Sequence, residues 1–144
     1  MTPEQIELVQ QSFAALEPHG DELAANFYDR LFTLDPSARS LFSTEPAVQR
    51  QKFIDELSAI VWSISNLDTF LDRTMALGAR HVEYGTNTAH YEIVREALLG
   101  AIAEQQGDQH TPDHGDAWRV AYNLVAETMM MGASQRVDLS LIHI

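Results

Sequence analysis

The chain has 144 residues, 45% hydrophobic and 21% charged, and 21 acidic against 9 basic side chains give a formal net charge of −12. That length suits one domain able to bury on the order of two-thirds of its unfolded surface, while the negative field disfavours nucleic acid and anionic membrane as partners and attracts a basic electron-transfer protein. With no cysteine, disulfides, iron–sulfur clusters, thiolate zinc sites, cysteine nucleophiles and thioether attachment of a cofactor are all excluded.

The N-terminal stretch MTPEQIELVQ has neither the basic segment nor the apolar run of a signal peptide, and no stretch reaches membrane-spanning length, so the expected location is the cytoplasm. Thr2, Pro3 and Gln5 form a capping-box signature for a first helix running to about Leu16. After the break at Pro18 and Gly20, Asp21 opens a second helix whose stripe collects Ala24, Phe27, Tyr28, Leu31 and Phe32. Asp35 and Pro36 start a short turn ending at Leu41 and Phe42.

Ser43 or Thr44 is the expected cap of the next long helix, which has Pro46 in its first turn and a stripe of Phe53, Leu57, Ile60, Val61 and Ile64. A helix carrying His81 follows the break near Asn66 and ends at Gly85. Thr88 opens another, through Tyr91, Val94, Leu98 and Ile102, that closes at Gly107. Thr111 and Pro112 open the last, through Trp118, Tyr122, Val125 and Met129, with Met129, Met130 and Met131 read as adaptable core filling. No period-two alternation lasts long enough for a strand, so the expected class is all-α, about seven helices with short connections. The expected domain is 1–133; residues 134–144 read as a tail, either frayed or an artificial extension, because RVDLSLIHI loses helical amphipathicity.

Within ALGARHVEYG (76–85), His81 shares a helix face with Phe70, Leu77 and Tyr84. One reading is a core histidine bonded to a backbone carbonyl; the other is a ligand. Gln49, one turn before Phe53, is a second polar intrusion on an apolar stripe, and its helix precedes that of His81. Facing each other, the two helices would enclose an apolar slot in which His81, Gln49, Tyr28 and Phe42 converge, suited to a flat apolar cofactor with a central metal.

Five ordered stretches carry a family resemblance: FYDRLFTLDPSARSLF (Phe27 to Phe42), QRQKF (Gln49 to Phe53), LGARHVEYG (Leu77 to Gly85), AHYEIVREALLGAI (Ala89 to Ile102) and DAWRVAYNLVA (Asp116 to Ala126). Over about Met1 to Ala133 the chain resembles the bacterial single-domain haemoglobins and the haem domain of flavohaemoglobins. The resemblance implies a globin fold and non-covalent haem b, with His81 as the proximal iron ligand. It places Phe42 on the porphyrin face, Tyr28 and Gln49 on the distal side, Phe53 narrowing that side and Lys52 near a propionate. Leu57, Leu77, Tyr84 and Tyr91 complete the expected cofactor contacts.

Where the flavohaemoglobin type has a glutamate supporting the histidine, this chain has Ala133, which weakens the case for peroxidase-like activation and leaves reversible ligand binding intact. The implied function is binding of dioxygen and other diatomic gases, with nitric oxide dioxygenation to nitrate as the chemistry and an external flavin reductase as electron source. The alternatives are an oxygen carrier or store without turnover, a sensor lacking an attached output domain, and a haem-free globin-like interaction module. Whether Gln49 itself ligates iron when no gas is bound is open at this level.

Overall fold

The computed structural model describes residues 1–83 and 88–142, without the side chains at 83, 88 and 135–142. Helix α1 (Pro3–Leu16) begins at the expected capping box: Gln5 N donates to Thr2 Oγ1 at 3.1 Å, and Thr2 N donates to Gln5 Oε1 at 2.9 Å. A 3-10 turn (Glu17–His19) leads into α2 (Gly20–Leu34), which starts one residue before the expected Asp21. The Asp35 carboxylate then accepts from Ser37 N, opening the 3-10 segment Pro36–Leu41.

Helix α3 (Pro46–Ser63) is capped by Glu45, whose carboxylate accepts from Val48 N at 3.2 Å, and not by Ser43 or Thr44. Proline keeps the preceding residue out of the helical region, so Pro46 forces Glu45 into the cap position with ψ at 135°. Helices α4 (Leu67–Glu83) and α5 (Thr88–Gln106) follow, then a 3-10 turn (Gly107–Gln109) entered through the left-handed backbone of Gly107. Helix α6 (Pro112–Ile142) has Thr111 at its cap: His114 N donates to Thr111 Oγ1 at 3.3 Å, and Thr111 N donates to His114 Nδ1 at 3.1 Å. A histidine thus does the reciprocal work usually given to a glutamate.

The described residues contain no strand, and counting Pro36–Leu41 there are seven substantial helical segments, the expected number. Phe13, Leu23 and Ile102, fully buried, join Phe27 and Trp118 in a core shared by α1, α2, α5 and α6. Each such side chain contributes roughly 1.5–3 kcal/mol through removal from water. Trp118 Nε1 donates to Ser12 Oγ at 2.9 Å, tying α6 to α1 inside that core, whereas Trp62 on α3 is 44% exposed beside Ile6 and Gln10. Of the methionine run, Met129 is buried but Met131 is 53% exposed, correcting its reading as core filling: two residues on a helix lie about 200° apart, so both cannot face inward.

Among the described residues, α4 packs mainly on α6, less on α3, and makes no substantial contact with α5. Helix α4 thus joins the bundle chiefly through α6 among the described residues. Among the described residues, no helix is long and apolar enough to cross a membrane.

Candidate functional site

Helix α2 presents Phe27 and Tyr28 to the N-terminal half of α3, and the segment ending at Leu41 brings Phe42 alongside Tyr28 and Phe32. Tyr28 is the centre of this group: its ring makes edge contacts with Phe27, Phe42 and Phe53 at centroid separations of 5.0, 5.3 and 5.7 Å. Phe27 and Phe53 stack face to face at 4.3 Å with planes 6° apart, which fixes Phe53 against a buried partner. The helical spacing put Phe27 and Phe32 on the α2 stripe without assigning them to the site; their shared face with Tyr28 was the available signal.

Gln49 Nε2 donates to Tyr28 Oη at 3.0 Å. The phenol therefore acts as acceptor toward Gln49 and keeps its own proton for another partner. Burial pushes the Tyr28 pKa up, with the Gln49 bond opposing, so the hydroxyl is a neutral donor at physiological pH. Lys52 is exposed, while Phe53 and Leu57 are half-buried.

His81 lies in the last turns of α4, half-buried, with Nδ1 at 2.8 Å from the Leu77 carbonyl oxygen. A carbonyl can only accept, so Nδ1 carries the hydrogen and the neutral ring keeps its lone pair on Nε2. Burial lowers the pKa, the Leu77 bond opposes, and the neighbouring Arg80 cation lowers it again, which leaves a neutral imidazole at pH 7. Glu56 on α3 pulls the other way; its carboxylate reaches Arg73 Nη1 at 3.2 Å and Arg80 Nη2 at 3.7 Å, an α3–α4 link that sequence reading missed. Arg73 and Arg80, seven residues apart on one helix, were the trace it left.

Tyr91 is half-buried at the start of α5, its pKa raised by burial, and its hydroxyl has no hydrogen bond among the described residues. Tyr122 on α6 donates to the Tyr91 carbonyl at 2.6 Å, and burial foremost holds its pKa far above the ordinary tyrosine value. Tyr84 lies outside the described residues. The structure thus gathers Tyr28 of α2, Gln49 and Phe53 of α3, and Phe42 of the segment between them into one contact group, while Leu77 and His81 stand on α4 and Tyr91 on α5.

Phe42, Phe53, Leu57, Leu77 and Tyr91 are all large and only half covered. Half-covered hydrocarbon side chains, a neutral imidazole and a hydroxyl–amide pair are the kinds of group that suit a flat, largely apolar metal cofactor. No group of three or more His, Asp or Glu side chains among the described residues offers a protein-only metal cage.

A family model described as Globin matches residues 25–129. The chain is 30% identical over 128 residues to a flavohemoprotein of Bacillus subtilis and 33% identical over 137 residues to one of Deinococcus radiodurans, covering 87% and 90% of this chain. It spans only 32% and 33% of the length of those two relatives. An uncharacterized globin-like protein of Aquifex aeolicus is 27% identical, with 90% of this chain and 92% of that one covered. The solved structure of a bacterial globin from Campylobacter jejuni superposes with a TM-score of 0.84 at 25% identity, covering 95% of this chain and 99% of that one, so the expected globin fold is the observed one.

Proposed function

Because this chain belongs to the globin family, whose members suggest haem-based gas binding, we propose that it holds haem b non-covalently on His81 and binds dioxygen and other diatomic gases. When bound, the iron porphyrin supplies an open coordination position for the gas and the capacity to exchange an electron. The observation that supports the reading is the Nδ1 bond of His81 to the Leu77 carbonyl, which assigns Nε2 the ligating role in this proposal.

In this reading each remaining residue acts from where the fold holds it. Phe42, Phe53, Leu57, Leu77 and Tyr91 exclude water from the cofactor faces, with Tyr84 added to that set from the sequence. Tyr28 turns its proton toward a polar diatomic ligand, and Gln49 keeps the phenol oriented by donating to it. Lys52, exposed on α3, offers a cation to a carboxylate at the cofactor's edge. The proposed haem domain is 1–133, a boundary that α6 crosses on its way to Ile142.

The finer reading is nitric oxide dioxygenation in the cytoplasm, consuming dioxygen and nitric oxide to give nitrate, with a separate flavin reductase returning the electron. It is supported by the similarity to proteins named flavohemoprotein and by the acidic surface, which favours docking of a basic patch. Ala133 brings no carboxylate toward His81, which favours gas binding over peroxide-type activation. The test is anaerobic addition of carbon monoxide to hemin-reconstituted, reduced protein. A carbonmonoxy Soret band is expected; a folded, colourless protein that refuses hemin overturns the proposal, and a carbonmonoxy band without nitrate production leaves the carrier reading in place.

A further inference from the structure

Two glycines bring α4 and α6 into direct backbone contact next to His81. A Cβ built on Gly78 would stand 1.9 Å from the Met129 carbonyl oxygen and 2.5 Å from its carbon. Reciprocally, a Cβ on Gly132 would stand 2.0 Å from the Met75 carbonyl oxygen and 2.6 Å from its carbon. The register is the same in both helices: a methionine carbonyl of one helix rests on the glycine three residues after the corresponding methionine of the other. Neither obstacle is a flexible side chain, so any residue larger than glycine at either place must move a helix.

This crossing sits one residue from the group that turns the imidazole. Gly78 follows Leu77, whose carbonyl takes the Nδ1 hydrogen of His81 at 2.8 Å. Thr74, fully buried one turn earlier, returns its hydroxyl to the Phe70 carbonyl of its own helix at 2.7 Å. Since α4 packs mainly on α6, its depth in the bundle is set at this crossing more than anywhere else.

We propose that Gly78 and Gly132 are positioning residues for His81. Through bare backbone contact, α6 fixes the height and roll of the α4 turn containing the Leu77 carbonyl, so the imidazole is aimed before any cofactor binds. This rests on the reading of His81 as the haem ligand. The two glycines touch neither cofactor nor gas; they act through the helix that carries the ligand.

The experiment compares Gly78→Ala and Gly132→Ala with Gly115→Ala, where an added Cβ meets only His110 Nε2 at an ordinary 3.5 Å. In hemin-reconstituted full-length protein, both crossing variants are expected to shift the iron–imidazole stretching band of the reduced form. They should also lose hemin to excess apomyoglobin roughly 10-fold faster, the lower end for mutation of an outer-shell partner. Gly115→Ala should match the parent in both. Folded crossing variants with parental band and loss rate overturn the proposal, even if their melting temperatures fall.

Hydrogen exchange on the parent apoprotein decides the matter if the variants do not fold. Amides of 77–82 should be protected together with those of 129–132; rapid exchange at 77–82 beside a protected 129–132 overturns preset aiming. Failure of the haem reading looks different: the parent takes up no hemin, and the exchange pattern still shows whether α6 holds the His81 turn.

Discussion

Gln49 spends an amide proton on the Tyr28 hydroxyl at 3.0 Å, and that direction of donation decides what the pair can do. A phenol that accepts from its neighbour has its own proton to give, whereas a phenol donating to the Gln49 carbonyl would face a ligand with lone pairs only. The aromatic contacts around Tyr28 leave its ring little room to turn away.

Replacing Tyr28 with Phe deletes that donor and keeps the ring. Dioxygen dissociation, followed by stopped flow, is expected to accelerate roughly fivefold to tenfold, the equivalent of one hydrogen bond of about 1 kcal/mol. Gln49→Leu should show a smaller increase, and almost none in a Tyr28→Phe background, because the amide acts through the phenol. Additive effects of the two substitutions would show that Gln49 meets the ligand independently.

His81→Ala removes the proposed iron ligand without touching the apolar walls. Reconstituted protein should lose its stable haem spectrum, and imidazole added in solution should partly restore it by entering the space left behind. A parental spectrum in the variant would move the ligand assignment elsewhere.

Acid should destabilise the apoprotein through the same residue. The folded-state pKa of His81 lies below the ordinary 6.5 because burial, aided by Arg80, disfavours the imidazolium. The unfolded chain therefore binds the proton first: this contribution is whole above about pH 6.5 and is lost as pH falls through the lower folded value. Urea unfolding of the parent at pH 7.5, 6.5 and 5.5 should give falling midpoints, with a shallower fall in His81→Leu. Parallel slopes in the two proteins would place the acid sensitivity in other groups.

Ser12→Ala tests the core without approaching the site. Trp118 Nε1 would be left buried with no acceptor in place of its 2.9 Å bond, costing about 1–3 kcal/mol in urea unfolding. Gas-binding kinetics should be unchanged.

Much of the fold was legible because its signals are local. Thr2 and Thr111 start helices where their hydroxyls reach the third amide, and the stripes of α2 and α3 face the core as their spacing implies. The start of α3 was misread because the usual short capping residues, Ser43 and Thr44, stand nearby, while the cap is a longer Glu45 pinned by the following proline. The expected end of α4 at Gly85 falls outside the described residues.

At the site, the polar intrusions Gln49 and His81 were conspicuous as breaks in apolar patterns, and the pairing of Gln49 with Tyr28 emerged on folding. What pattern alone did not convey is pairwise geometry across distant segments. The Phe27–Phe53 stack, Glu56 between two arginines, and the α4–α6 crossing depend on helix depth and roll, which no single helix encodes.

The two indoles sit in different surroundings, Trp118 sealed in the core and hydrogen-bonded, Trp62 partly open to solvent. The molecule thus carries a pair of intrinsic fluorophores that acrylamide can tell apart: the outer one is quenched at once, and the inner one only when the bundle opens. Emission from the sealed ring consequently reports unfolding of the apoprotein, with no dye attached.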